Sequence, residues 1–167
     1  MGIRGLTLAV LAAAVIGVPA HAADMAGARA FVTWLYSHYP ASGRVHDFDS
    51  LGPSIAKVFD PSLIALIRED QRLANGEVGA LDGDPVCDCQ DDAGSTFTVR
   101  SLRAMDSTRV VAIVARGPDE TGQGAEDIGL DLAFAAGRWR IYDIHSNDTP
   151  SLRAYLIKSN REARARK

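Results

Sequence analysis

Residues 128–144 read IGLDLAFAAGRWRIYDI, and the architecture of the chain can be worked out from this pattern. Apolar side chains alternate with small or polar ones on both sides of the pair Ala136-Gly137. A period of two is typical of a β-strand with one buried face, and a glycine-containing pair between two such runs predicts a tight turn. The stretch therefore predicts two neighbouring antiparallel strands.

Two further strands precede this hairpin. Phe97 to Leu102 alternates in the same way, and Arg109 to Ala115 contains five consecutive apolar residues, Val110 to Val114. A continuous apolar run predicts a strand that is covered on both faces. Residues 116–126 are rich in glycine and predict a long exposed loop. The four strands together predict an antiparallel meander.

Helical patterns fill the chain before residue 77. Apolar residues between Ala28 and Tyr39 recur at helical spacing, Asp60-Pro61 predicts a helix start, and Asn75-Gly76 predicts its end. Thr149-Pro150 predicts the start of a short last helix. Helices that precede a run of strands indicate an α+β fold, with N-terminal helices packed on a curved antiparallel sheet and a short C-terminal helix.

The N-terminal residues have the layout of an export signal. Arg4 is the only charge before Asp24, residues 5–19 are apolar, and Ala20-His21-Ala22 has small residues where a signal peptidase needs them. The apolar run is shorter than the ~20 residues of a membrane-spanning helix. We expect a signal peptide at 1–22, a single α+β domain at 23–160 and a basic C-terminal tail at 161–167.

Composition and charge limit the classes of protein to which the chain can belong. The chain has 167 residues, 47% hydrophobic and 23% charged, which suits one globular domain. Its formal net charge is −3, but without the signal and the basic tail the body carries −7. An acidic body argues against a nucleic-acid partner. The two cysteines lie far from the signal, so we expect a free periplasmic protein without a membrane span, and not a lipoprotein.

Residues 81–92 read LDGDPVCDCQDD and contain five aspartates and both cysteines. Cysteines of an exported protein are expected to be oxidised. The Cα atoms of Cys87 and Cys89 would lie about 7 Å apart in an extended chain, at the edge of disulfide geometry, so a bridge requires a local bend. We predict a structural disulfide, with redox chemistry of the pair as an alternative.

Metal binding by the same segment is a second alternative. Cys87 and Cys89 could supply two zinc ligands, but a tetrahedral site needs two more. The aspartates could bind calcium, but they lack the order of an EF-hand loop. An acidic loop whose aspartates bond nearby backbone N–H groups explains the pattern equally well. We therefore predict no metal site and no cofactor.

Three polar residues, Asp131, Asp143 and His145, lie in the last two predicted strands. Asp143 and His145 have a spacing of two, which places them on one face with Trp139 and Ile141. On a concave face they could form an acid–base pair in a pocket. A polar pair at the rim of the sheet is the interpretation that we favour. No nucleophile, phosphate-binding or dinucleotide motif accompanies them.

The complete layout resembles a bacterial protein family. Its features are the segment Asp82-Gly83-Asp84-Pro85, the pair Gln90-Asp91, the run Gly137-Arg138-Trp139-Arg140-Ile141, and a closing helix with Ser151-Leu152. Residues 28–159 are similar in these respects to the bacterial domain-of-unknown-function family 3828, found in exported proteins and lipoproteins. The resemblance implies a cone similar to that of nuclear transport factor 2, and it implies no particular reaction or catalytic residue.

We expect an exported, non-catalytic domain that binds an unknown protein or small ligand in the periplasm. A sharper hypothesis is an immunity-type protein whose acidic body meets a basic effector. A small pocket enzyme, a hydrolase or isomerase that uses Asp131, Asp143 or His145, is one alternative. A metal-binding envelope protein that uses the Asp and Cys segment is the other.

Overall fold

A computed structural model of the chain describes residues 23–39, 49–89, 95–118, 122 and 124–166. The elements are α1 (Met25–Tyr36), α2 (Ile55–Val58), α3 (Pro61–Ala74), β1 (Phe97–Ala104), β2 (Arg109–Arg116), β3 (Glu126–Ala135), β4 (Arg138–His145) and α4 (Leu152–Ala165). This order confirms the predicted α+β class. The predicted signal peptide at 1–22 and the motif residues Gln90 and Asp91 lie outside the described residues.

Short polar side chains begin the three long helices. Asp24, Asp60 and Ser151 each accept a hydrogen bond from a backbone N–H group in the first turn of α1, α3 and α4. Pro61 takes the first position of α3, where its missing N–H costs nothing. Asn75 ends α3 in the left-handed conformation, at φ 55°. The predicted helix boundaries at Asp60 and Asn75 are therefore confirmed.

The four strands form one antiparallel sheet in the order β1-β2-β3-β4. Ala136 and Gly137, with φ of 51° and 75°, make the two-residue turn between β3 and β4. Positive φ at both central residues gives the turn a twist that matches the flanking strands. The predicted meander is confirmed.

A bulge in β4 changes which side chains point towards the helices. Ile141 and Asp143 pair with neighbouring residues of β3, so Tyr142 is left without a partner. A bulge bends the strand and shifts its alternation by one residue. Ile144 is consequently buried, and His145 lies on the opposite face from Ile141. The prediction that His145 and Ile141 share a face is wrong for this reason.

The helices pack against one face of the sheet. On β2, Val110, Ala112 and Val114 are buried while Val111 and Ile113 are half-buried. The predicted cover on both faces of this strand is therefore wrong. The largest buried side chains come from helices and strands alike: Leu35, Phe59, Leu63, Ile67, Ile128, Leu130, Leu132, Ile141 and Leu156.

Helix α4 continues into the segment predicted as a basic tail. Near its end, Arg164 Nε donates to Glu69 Oε1 on α3 at 2.9 Å, and Arg72 bonds the same carboxylate. These two guanidinium groups lower the pKa of Glu69 to about 2. The first part of the basic tail is thus helical and paired with α3. Within the described ranges, every helix falls short of the length and apolar character that crossing a bilayer requires.

Candidate functional site

The segment Asp82–Cys89 lies between α3 and β1 and contains a disulfide between Cys87 and Cys89. Their Cα atoms are 5.2 Å apart, closer than the ~7 Å of an extended chain. Asp88 between them adopts φ of 50° and makes the required bend. Aspartate is one of the few non-glycine residues that adopt this left-handed conformation with ease. The disulfide and this residue together set the local shape of the segment.

Asp84 ties the segment to the helical layer. Its Oδ2 accepts from the Tyr39 hydroxyl at 2.6 Å, and its Oδ1 accepts from the Ser50 hydroxyl at 2.8 Å and from the Val86 N–H at 2.9 Å. Burial and the negative charge of Asp84 raise the pKa of Tyr39 far above its usual value. The phenol therefore remains a donor, and the carboxylate serves as a structural tie.

Arg116, at the end of β2, binds the small ring that the Cys87–Cys89 disulfide closes around Asp88. Its Nη1 donates to the carbonyl oxygen of Cys87 at 2.9 Å and to that of Asp88, and it lies 3.4 Å from Glu126 Oε1. Burial and the negative charge of Asp88 raise the pKa of Glu126 against the opposing effect of Arg116. The ring is therefore held by a cation that is itself flanked by two acidic residues.

These contacts border an open groove of about 220 Å³, here called the acidic groove, between the segment and the start of α4. Among the described residues that line it, Asp82, Asp84 and Asp88 are acidic and none is Lys or Arg. The Tyr155 hydroxyl bonds the Ala80 carbonyl oxygen at 3.3 Å across its edge. The groove therefore presents negative charge and hydrogen-bond acceptors, an arrangement that suits a cation.

Asp70 supports the chain that enters the acidic groove. This side chain is 5% exposed, and its oxygens accept from the N–H groups of Ala80 at 2.9 Å and Leu81 at 3.2 Å. A Cβ on Gly79 would lie 2.3 Å from Asp70 Oδ2, so a side chain there would displace this carboxylate from its hydrogen bonds. On its far side the segment borders a second open groove of about 530 Å³, which includes Glu77.

The structure brings His145 and Asp131 together on the sheet face away from the helices. His145 Nε2 lies 3.2 Å from Asp131 Oδ2, and Nδ1 lies 2.6 Å from the Pro150 carbonyl oxygen. Burial lowers the pKa of His145, but the Pro150 carbonyl and the charges of Asp131 and Asp143 outweigh it and raise the pKa above 6.5. Both ring nitrogens face oxygen acceptors, so neither remains to take a substrate proton.

Asp143 has a separate place at the start of α4. Its Oδ2 accepts from the Ser151 hydroxyl at 2.7 Å, and its Oδ1 accepts from the Arg153 N–H at 2.8 Å. A carboxylate at a helix N-terminus satisfies free N–H groups and complements the helix dipole. Neither Asp143 nor the His145–Asp131 pair lines the acidic groove.

The part of the chain that the structure describes contains no set of side chains that would support the zinc or calcium alternatives. There, no group of three or more His, Cys, Asp or Glu side chains is placed to hold a metal ion. Cys87 and Cys89 are bonded to each other, and the oxygens of Asp84 accept from protein donors. The described segment is organised by hydrogen bonds of the protein itself.

Four residues of this region were not predicted as site residues: Tyr39, Arg116, Glu126 and Tyr155. Each reaches the segment or its groove from a distant part of the chain. Tyr39 is 45 residues away from Asp84, and Tyr155 is 75 away from Ala80. Contacts over such separations leave no local pattern in a sequence.

Comparison with known proteins gives a distant relative and no family. No protein-family model matches the chain. The uncharacterized protein YqhG of Escherichia coli (strain K12) is 32% identical over 90 residues, which are 54% of this chain and 29% of that protein. The aligned part thus covers less than a third of that relative, and its name indicates no activity.

Among solved structures, a phospholipid-binding protein from Ralstonia solanacearum, in complex with a phospholipid, is a weak match. Its sequence identity is 15%, and the match covers 84% of this chain and 75% of that one, at a TM-score of 0.39. A score this low is insufficient for transferring the fold or the ligand of that protein to this chain.

Proposed function

We propose that this chain is an exported, non-catalytic binding domain whose acidic groove holds a cationic group of a basic protein in the periplasm. The observation that carries the proposal is the construction of the groove wall. The wall presents Asp82 and Asp88, and it is tied in place by the Cys87–Cys89 ring, the Asp84 bonds and Arg116. A preorganised wall loses little conformational freedom on binding.

The charges around the groove support a cationic partner. Arg116 offsets part of the negative charge, yet Glu126 keeps a raised pKa because it is buried and lies beside Asp88. A partner cation near Asp88 would favour the ionised form of Glu126. Binding is therefore coupled to proton release, and we expect affinity to fall as the pH decreases through the pKa of Glu126.

Calorimetric titration of residues 23–167 with a tetralysine peptide tests the proposal. We expect saturable binding that weakens with added salt. Asp82→Asn and Asp88→Asn are each expected to weaken binding by about fivefold, the effect of ~1 kcal/mol per charge. Asparagine retains the left-handed conformation that residue 88 needs, so the ring should keep its shape.

Glu162→Gln is the matched control, because Glu162 is exposed on α4 outside the acidic groove. It removes one negative charge without touching the groove and should leave the affinity unchanged. Equal weakening in all three variants would mean that net charge, not the groove, attracts the peptide. Absence of saturable binding at low salt would overturn the proposal altogether.

The finer parts of the proposal are the cleaved signal at residues 1–22, the immunity-type role and membership of family 3828. They are supported by the apolar N-terminal run, by the acidic body and by the motif layout. The enzyme alternative has less support, because His145 has acceptors on both ring nitrogens and Asp143 bonds the start of α4.

A further inference from the structure

We infer a second binding site, for an aromatic carboxylate, at the opposite end of β4 from the acidic groove. An open groove of about 340 Å³ lies there between the start of α1, α2 and the β3–β4 hairpin. The residues that define its chemistry are Phe31, Phe134, Trp139, Lys57, Arg138 and Asp24. This surface is called the aromatic groove below.

The wall of the aromatic groove suits a flat apolar ring. Phe134 and Trp139 contact each other with their ring centroids 5.2 Å apart and their planes tilted by 54°. Phe31 of α1 completes the wall and is half-buried. Aromatic rings favour tilted or offset contacts of this kind, so a ligand ring would extend the cluster.

Trp139 also contains a buried hydrogen-bond donor without an acceptor in the described part of the chain. The residue is 4% exposed, and its indole N–H has no acceptor among the described residues. Buried donors without a partner are rare in native proteins. The nitrogen itself is shielded from the groove, so a ligand there contacts the indole ring and could reach this N–H only after the ring shifts.

The charges at the aromatic groove indicate an anion. Within the described ranges, Lys57 and Arg138 make no ion pair. Asp24 is their acidic neighbour, but its Oδ1 accepts from the Gly27 N–H at 2.8 Å as the cap of α1. Its charge is therefore partly balanced by the positive end of that helix. Two cations that have no ion pair among the described residues, beside one engaged carboxylate, leave a net attraction for a negative group.

An aromatic carboxylate uses both the aromatic wall and the two cations of the aromatic groove. An inorganic anion would use the cations but leave the aromatic wall uncovered. A neutral ring would use the wall but gain nothing from the charges of Lys57 and Arg138. The combination of an aromatic wall with two neighbouring cations is what selects this ligand class.

Fluorescence titration with phenylacetate tests the site directly. The chain has two tryptophans, so Trp34→Phe makes Trp139 the only indole and reports on the aromatic groove alone. We expect a saturable fluorescence change. Arg138→Gln and Lys57→Gln should each weaken binding by about tenfold, the loss of one charge-assisted hydrogen bond. Phenylacetamide, which lacks the charge, should bind weaker by a similar factor.

Arg103→Gln is the control, because Arg103 is exposed on β1, the opposite edge strand of the sheet. Equal binding of phenylacetate and phenylacetamide, equal loss in Arg103→Gln, or no saturation would each overturn the inference. N-acetylphenylalanine distinguishes two kinds of aromatic carboxylate, the C-terminal aromatic residue of a peptide and a free aryl acid. If it binds more tightly than phenylacetate, the ligand is a C-terminal aromatic residue of a peptide; if more weakly, it is a free aryl acid.

Discussion

At the residue scale, the environment of His145 favours one charge state. Asp131 Oδ2 and the Pro150 carbonyl oxygen face its two ring nitrogens at 3.2 and 2.6 Å. A neutral imidazole has one N–H, so only the protonated ring can donate to both acceptors. The pair is an electrostatic contact that connects β3, β4 and the loop before α4.

We predict that His145 titrates above 6.5 and that Asp131→Asn lowers its pKa. Because the pKa is raised by folding, the stabilisation is complete below 6.5 and is lost as the pH rises through the folded-state value. Histidine ring signals followed by NMR across the pH range give the midpoint directly. An unchanged midpoint in Asp131→Asn would show that the Pro150 carbonyl and the charge of Asp143 raise the pKa without help from Asp131.

At the element scale, the junction of β4 with α4 is held by polar contacts. Asp143 bonds the first turn of α4, and Arg153 of that turn donates back to the Tyr142 carbonyl oxygen at 3.0 Å. The guanidinium groups of Arg109 and Arg153 each lie 3.9 Å from the centroid of the Tyr142 ring. The bulge residue Tyr142 is therefore one of the contacts between the sheet and α4.

Asp143→Ala is expected to lower the free energy of unfolding by about 1–3 kcal/mol, because it leaves partly buried donors at the start of α4 without their acceptor. Urea denaturation monitored by circular dichroism measures the change. The control is Asp127→Ala, which removes an exposed ion pair with Arg100 and should cost less than about 1 kcal/mol. Equal effects of the two substitutions would contradict the capping role.

At the scale of the whole molecule, short-range patterns predict the fold and long-range contacts build the site. Strand alternation, the Asp60 cap and the Asn75 terminus can all be read within a few residues. The bulge at Tyr142 has no such signal, and it places His145 on the other face. The tie from Tyr39 to Asp84 likewise exists only in the folded chain, because 45 residues separate the two. The Cys87–Cys89 bend was predictable because bond lengths alone demand it.

The predicted export of the chain can be tested by finding where the protein accumulates and where its mature chain begins. In a bacterial host, the periplasmic fraction should contain a chain that begins at Ala23, because Ala20 and Ala22 have the small side chains that signal peptidase accepts. Intact mass measurement and N-terminal sequencing check both points. A chain that remains in the cytoplasm with residues 1–22 attached would refute the export proposal.

The formation of the Cys87–Cys89 disulfide depends on the cellular compartment. Cysteines stay reduced in the cytoplasm and pair in the periplasm. A precursor still inside the cell would hold Asp88 in its left-handed conformation without a covalent restraint. If the chain is exported as proposed, the wall of the acidic groove would therefore form by oxidation only after the chain has crossed the membrane. In that case, binding of the proposed basic partner would begin only after export.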